Sequence, residues 1–240
     1  MTPPRPMDPR VRIATRAAVR SFRMCAPTAL EALVGTVPRA LCDERIARWS
    51  RAILDDVGVS LDVRGREHLR PDEPLLVMSN HQSLYDIPVL FQTLPWSVRM
   101  VSKKEIFYVP FFGQAMRAAE FISVDRENRA SAIESLRGAR ALIASGIVVW
   151  IAPEGTRSAD GRLGPFKKGG FVLAEEADVP ILPITVDGTC RILPARTTDI
   201  HLGETVRVTI HPRSRRGEFP SREAWMGHVR DAIASALPTP

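Results

Sequence analysis

The chain has 240 residues, 45% hydrophobic and 25% charged, which suits one large globular domain able to bury a core without covalent staples. Three scattered cysteines, Cys25, Cys42 and Cys190, with no C-x-x-C pair, argue against a zinc or dithiol motif and read as reduced thiols. A net charge of +6 and a pI near 9.8 favour an anionic partner, whether nucleic acid, an anionic membrane surface or a phosphorylated substrate, without choosing among them.

In chain order, residues 1–10 are proline-rich and read as a frayed end. From Val11 the pattern is helical: Arg12, Arg16, Arg20 and Arg23 form one basic stripe, while Ile13, Ala17, Phe22 and Met24 mostly cover the other side. Such a helix suits a membrane surface, or equally a helix packed on its own domain with a solvated arginine face. The first twenty residues lack the continuous apolar stretch of a secretory signal, and no segment has the length and purity of a transmembrane helix. "CDERIARWSRAILDDVG" predicts a second helix, with Asp43 as N-cap and Gly58 as stop. Strands follow at "VSLDVRG" and "LLVMS", then a helix at "DIPVLFQTL". "SVRMVS" and "FISVD" read as strands separated by a helical stretch around residues 111–119. "NRASAIESLRGARALIAS" is an amphipathic helix capped by Asn128 and followed by Gly146. "IVVWIA", "PILPITV" and "ETVRVTI" are further strands, with helices at "GGFVLAEEA" and, after Ser221, at "SREAWMGHVRDAIASAL". Apolar strands alternating with helices predict an α/β fold with a mainly parallel sheet flanked by helices, preceded by an amino-terminal amphipathic helical segment. The boundary is placed at residue 57: residues 1–57 as a helical appendage, 58–240 as the α/β domain.

Three strands run straight into polar, reactive side chains. "LLVMS" leads to Asn80-His81, "FISV" to Asp125-Arg126, and "IVVWIA" to Pro153-Glu154-Gly155-Thr156-Arg157-Ser158. If the strands are parallel, these ends share one edge of the sheet, where ligands of such sheets tend to bind. A neutral imidazole accepts protons near pH 7, and Asp86, five residues after His81, could hold its far nitrogen. Five residues do not share a helix face, so this pairing requires a non-helical turn. The plainer alternatives are that Asp86 or Ser83 caps the helix and His81 bonds to backbone. Arg126 and Arg157 suit a phosphate dianion, with Gly155 and Thr156 as further donors; alternatively Pro153 to Gly155 is only a type I turn. No H-e-x-x-H, G-x-S-x-G or Walker A ending occurs, and the single basic cluster "PRSRRGEF", without interleaved aromatics, does not suggest nucleic-acid binding.

Four of these stretches, "NHQSLYD", "ISVDR", "APEGTRS" and "VPILPI", resemble in order and spacing the four sequence blocks of the glycerolipid acyltransferase family, over about Leu75 to Gly188. The chain departs from that pattern at Glu120, where the second block commonly has glycine, at Ser123, a usual aromatic place, and at Ala152, a usual phenylalanine.

The resemblance implies that His81, oriented by Asp86, takes the proton of a glycerol hydroxyl, which then attacks the thioester of acyl-CoA or acyl-acyl carrier protein. It implies no metal and no cofactor beyond that acyl donor. Arg126, Glu154, Gly155, Thr156 and Arg157 would hold the acceptor phosphate, Glu154 by orienting an arginine or bonding the glycerol. Asn80, Lys104 and Lys167 are further candidates, and Lys103 would add positive field. The implied acceptor is 1-acylglycerol 3-phosphate, giving phosphatidate. The alternatives are another lysolipid (a lyso-ornithine lipid or lysophospholipid), glycerol 3-phosphate, or a non-catalytic peripheral lipid-binding protein. The expected partners are a lysophospholipid, the acyl donor and an anionic membrane surface, with no nucleic acid, at the cytoplasmic face of the cell membrane as a peripheral protein. "FYVPFFG", Phe107 to Gly113, is a patch suited to lipid, to an acyl tunnel or to the core.

Overall fold

The computed structural model describes residues 8–70, 73–125 and 127–238. Helix α1 spans Pro9–Val34; proline at the first helical position costs no hydrogen bond, and the Asp8 carboxylate accepts from the Arg10 amide at 2.8 Å. The expected frayed end thus falls mostly outside the described residues. Helix α2, Arg39–Val57, ends on Gly58 in the left-handed conformation, φ +65°, as anticipated. Its start was not anticipated. It lies four residues before Asp43, whose carboxylate instead takes Arg99 Nη1 at 2.7 Å and the Ser97 hydroxyl.

The remaining elements are β1 (Ser60–Arg64), β2 (Leu76–Ser79), α3 (Asp86–Thr93), β3 (Val98–Lys103), α4 (Phe112–Ala118), β4 (Ile122–Val124), α5 (Arg129–Ala144), β5 (Val148–Ile151), α6 (Gly169–Glu176), β6 (Ile181–Asp187), α7 (Thr189–Ile192), β7 (Thr205–Ile210) and α8 (Arg222–Ser235). Asn128 and Ser221 cap α5 and α8, accepting from Ser131 N and Ala224 N at 3.1 Å. The seven strands lie in the order β1-β7-β6-β2-β5-β3-β4. Neighbours from β6 to β4 are parallel; β7 is antiparallel to β6 and parallel to β1. The sheet is therefore mainly parallel, as the alternation of apolar strands and helices predicted. The carboxyl ends of β2 to β6 share one edge.

Side-chain alternation divides the interior into two layers. Val77, Trp150, Leu182, Ile184 and Val186 face α2 and α3, where Ile53, Leu54, Val57 and Leu90 complete a core. Leu76, Met78, Val149 and Ile151 face α5, α6 and α8 around Phe171, Ile143 and Trp225. Burial of such side chains stabilises by about 25 cal/mol per Å² removed from water. Helices α1 and α2 take part in the first layer: Ile13 of α1 and Ile53 of α2 are both buried in it. Residue 57 therefore marks a change of role along the chain, not a gap between two cores.

Polar ties fix the two amino-terminal helices. Arg20 is bonded to Asp56, which removes it from the supposed four-arginine stripe and leaves Arg12, Arg16 and Arg23 exposed. Arg45 bonds Glu31 at 2.6 and 2.7 Å and Thr28 at 2.8 Å. Arg39 holds Glu120 through two bonds of 2.7 and 2.8 Å. Glu120 has φ +63°, which explains the glycine usual at this place; the left-handed backbone costs about 1 kcal/mol for a residue with a Cβ, and the bidentate ion pair offsets it.

One buried histidine makes stability depend on pH. The Thr185 hydroxyl donates to Ile233 O at 2.7 Å, so His211 Nε2–H donates to Thr185 Oγ1 at 2.8 Å, joining β7 and β6 to α8. Desolvation, with His68 adding, lowers the His211 pKa from 6.5 to about 4. Between those values the unfolded chain binds the proton and the folded one does not. Stability therefore falls as pH drops from 6.5 towards 4, by about 3 kcal/mol from this group. Urea unfolding at pH 7 and pH 4.5 checks this: His211→Gln, which keeps an N–H donor but does not titrate, should flatten the difference.

Candidate active site

The exit of β2 is locked before the reactive residue is reached. The Asn80 side chain donates to Val186 O and accepts from Val186 N, both at 2.8 Å, so it staples β2 to β6. Asn80 is buried, and its amide is spent on this staple, not on a ligand. Trp150 Nε1 donates to Ser79 Oγ at 2.9 Å, and the indole meets the His81 ring edge-on at 6.3 Å.

His81 then enters a tight turn. Its amide donates to Glu154 Oε1 at 2.9 Å, and its carbonyl accepts from Ser158 N at 2.8 Å, so the loop after β5 grips the backbone of His81 on both sides. His81 Nδ1 lies 2.7 Å from Asp86 Oδ2. The same oxygen accepts from Gln82 N at 2.7 Å and Ser83 N at 2.9 Å, and Oδ1 accepts from the Thr189 hydroxyl. Four donors thus hold a carboxylate that is 0% exposed. The three bonds to Oδ2 are what close the five-residue spacing into a turn: Asp86 reaches back over the preceding residues and does not cap its own helix. A carboxylate only accepts, so Nδ1 carries the proton and Nε2 of neutral His81 presents a lone pair. Nε2 has no partner among the described residues, and the His81 side chain is 17% exposed. The arrangement can take a proton at Nε2 and stabilise the resulting imidazolium.

The loop after β5 is the expected turn, with Gly155 N donating to Ala152 O at 3.0 Å and Gly155 at φ +72°. A Cβ on Gly155 would lie 2.9 Å from Lys167 Cε, so glycine lets the Lys167 side chain lie across the turn. Lys167 N also donates to Pro153 O at 2.8 Å. Thr156 is exposed and Arg157 half-buried, and among the described residues no carboxylate pairs with Arg157. An arginine left without a counter-ion at this edge is suited to an anionic ligand.

Three expected assignments change. Glu154 Oε1 accepts from His81 N, and Oε2 accepts from Gly164 N at 2.8 Å. Both oxygens accept from backbone amides and neither meets an arginine among the described residues, so Glu154 shapes the loop. Burial raises its pKa despite those amides. Lys104 Nζ bonds Asp125 at 2.6 Å, which holds the Asp125 carboxyl below its usual range, and its charge is neutralised there. Asn80 is the staple described above. Arg126 lies outside the described residues.

Two features escaped the sequence reading. Thr189, at the exit of β6, touches Asp86, and polar residues directly after an apolar strand were the signal that could have flagged it. The second feature is a mostly apolar, half-open cavity of about 210 Å³ walled chiefly by α1 to α4, with Met24, Cys25, Ile46, Phe91 and Met116 among its walls. Leu84 and Ile87, beside the His81 turn, line it too. Edge-on rings connect it to the imidazole: His81 to Trp150 at 6.3 Å and Trp150 to Phe91 at 6.5 Å. Three of these helices lie far from the His81 turn in sequence, and so the cavity has no local sequence signature.

The family model described as Acyltransferase matches residues 60–187 of the chain. Among curated proteins, the chloroplastic 1-acyl-sn-glycerol-3-phosphate acyltransferase BAT2 of Brassica napus is 34% identical over 219 residues, covering 85% of this chain and 63% of that protein. The chloroplastic LPAT1 of Arabidopsis thaliana is 40% identical over 152 residues, covering 63% and 42%. The human 1-acyl-sn-glycerol-3-phosphate acyltransferase alpha is 38% identical over 130 residues, covering 54% and 46%. The matches thus span about half of the length of these relatives. The crystal structure of the 1-acyl-sn-glycerophosphate (LPA) acyltransferase PlsC from Thermotoga maritima superposes with a TM-score of 0.80 at 23% identity, over 97% of each chain, and shares the fold.

Proposed function

Because the chain belongs to the acyltransferase family, we propose that it transfers a fatty acyl group from a thioester donor to the free hydroxyl of 1-acylglycerol 3-phosphate, giving phosphatidate. The observation that carries this reading is the buried Asp86 carboxylate gripping His81 Nδ1 while Nε2 has no partner among the described residues.

In this mechanism His81 Nε2 removes the hydroxyl proton as the oxygen attacks the thioester carbonyl. The new C–O bond forms, the C–S bond breaks, and the imidazolium returns its proton to the departing thiolate. No covalent acyl-enzyme is needed. Asp86 stabilises the imidazolium, and Arg157 with Thr156 holds the acceptor phosphate; Arg126 is assigned beside them from the family resemblance. Orienting both substrates makes the encounter effectively unimolecular. The acyl chain lies in the cavity between α1 and α4. The donor is acyl-CoA or acyl-acyl carrier protein, and no metal is assigned a part.

The substrates are lipids, so the protein works at a membrane surface. Supporting this, Val19, Phe22, Leu30, Leu33 and Val34 of α1 are exposed, as are Tyr108, Val109 and Phe111 of the neighbouring loop. Phe22 and Phe111 meet edge-on at 5.9 Å, which makes the two segments one apolar surface. Arg12, Arg16 and Arg23 add positive charge for anionic lipid. No described helix is long and apolar enough to cross a membrane. The face concerned is taken to be cytoplasmic, because that leaflet carries the anionic lipid that would attract these arginines.

Free-thiol release and product mass decide the reading. Purified protein with acyl-CoA or acyl-acyl carrier protein should release thiol and form phosphatidate from lysophosphatidate, much faster than it acylates monoacylglycerol. No release with either donor, or equal rates on the neutral acceptor, overturns it. The cavity assignment has its own test. Met116→Ala enlarges the wall, and two further buried methylenes raise kcat/KM for a longer donor relative to a shorter one by about tenfold. An unchanged ranking across a chain-length series would place the acyl group elsewhere.

A further inference from the structure

We infer that Thr189 is a positioning residue for the His81–Asp86 pair, the third member of a Thr189–Asp86–His81 relay built on the exit of β6. The inference rests on the proposed acyl transfer and deepens it.

Asp86 Oδ2 is saturated by His81 Nδ1 and two turn amides, whereas Thr189 Oγ1 is the one side-chain donor to Oδ1 among the described residues. Thr189 is 0% exposed, and so no water can replace it without a cavity opening. Its placement is built in. Gly188, at φ +106°, turns the chain sharply after β6, and a Cβ there would lie 2.7 Å from Thr205 O. The turn carries Thr189 onto the first residue of α7. Ser83 Oγ donates to Leu193 O at 2.8 Å, tying the other end of α7 to the same His–Asp turn. The carboxylate is therefore held from both sides: by its own turn, and by a segment about a hundred residues further on. Its plane is fixed, and with it the direction of the imidazole. A hydroxyl that only packed would not need to point at the carboxylate.

Removing this donor leaves Oδ1 without a partner in a buried site, so the carboxylate is held by its own turn alone and draws harder on the three donors that remain. Thr189→Val keeps the volume and deletes the hydroxyl; Thr189→Ser keeps the hydroxyl. In Thr189→Val, kcat should fall about 10- to 100-fold with KM little changed, and Thr189→Ser should recover most of the loss. The far-downfield proton resonance of His81 Nδ1–H, assigned by its loss in His81→Gln, should move in Thr189→Val and return in Thr189→Ser. That resonance needs no turnover. If the wild type fails to release thiol, the transfer reading fails while the resonance still decides the role of Thr189. A resonance unmoved in Thr189→Val overturns the inference whatever the activity. So does wild-type kcat in the folded valine variant, or a serine variant as impaired as valine. Should Thr189→Val not fold, Thr189→Ala makes the same comparison with less steric demand.

Discussion

Replacing His81 by alanine should lower kcat by about 10²- to 10⁴-fold, the range of a positioned general base, while the fold and acceptor binding survive. Among the described residues the ring's one hydrogen bond is to Asp86, and the backbone grip on residue 81, through Glu154 and Ser158 N, does not involve the side chain. The loss therefore belongs to the chemical step and not to the loop. Steady-state kinetics with thermal unfolding as control is sufficient. Wild-type kcat in a folded His81→Ala protein would remove the imidazole from the mechanism.

Asp86→Asn should lower kcat by a comparable factor, roughly 10²- to 10⁴-fold, for a different reason. The amide can place its carbonyl where Oδ2 was, still accepting from His81 Nδ1, Gln82 N and Ser83 N, while its NH₂ turns to Thr189 Oγ1, which can accept. The turn then persists without the negative charge, and the imidazolium forming as the proton moves loses its counter-ion. Stability should drop modestly, since charge-assisted bonds become neutral ones. Asp86→Leu separates geometry from charge: it strands four donors in a site with no water access, each costing about 1–3 kcal/mol, and should unfold or badly destabilise the protein. The double variant His81→Ala/Asp86→Asn should be no slower than His81→Ala alone, because the two residues act as a unit. Additive losses would mean that the carboxylate works independently of the ring.

Much of the fold is legible in the amino-acid sequence itself. Burial on both faces of a parallel sheet demands continuous apolar runs, so "LLVMS", "IVVWIA" and "PILPITV" announced their strands, and Asn128, Ser221 and Gly58 announced helix ends through backbone donors and a positive φ. The four ordered blocks gave the family, and the His81–Asp86 spacing gave the turn, because five residues cannot pair across a helix face. These features rest on local chemistry, which neighbouring residues carry entire.

What tertiary structure alone decided depends on partners distant in the chain. Glu154 and Asn80 read as ligand-facing polar residues; both are anchors, because the amides they satisfy come from Gly164, His81 and Val186. Lys104 read as free charge until Asp125 neutralised it, and Arg20 left the basic stripe for Asp56. The donor set of Asp86 includes Thr189 from the exit of the neighbouring strand β6, and the cavity takes its walls from α1 to α4. A polar side chain advertises its capacity for a hydrogen bond in the sequence. Which group answers it is settled only when packing has excluded water and brought remote backbone within reach.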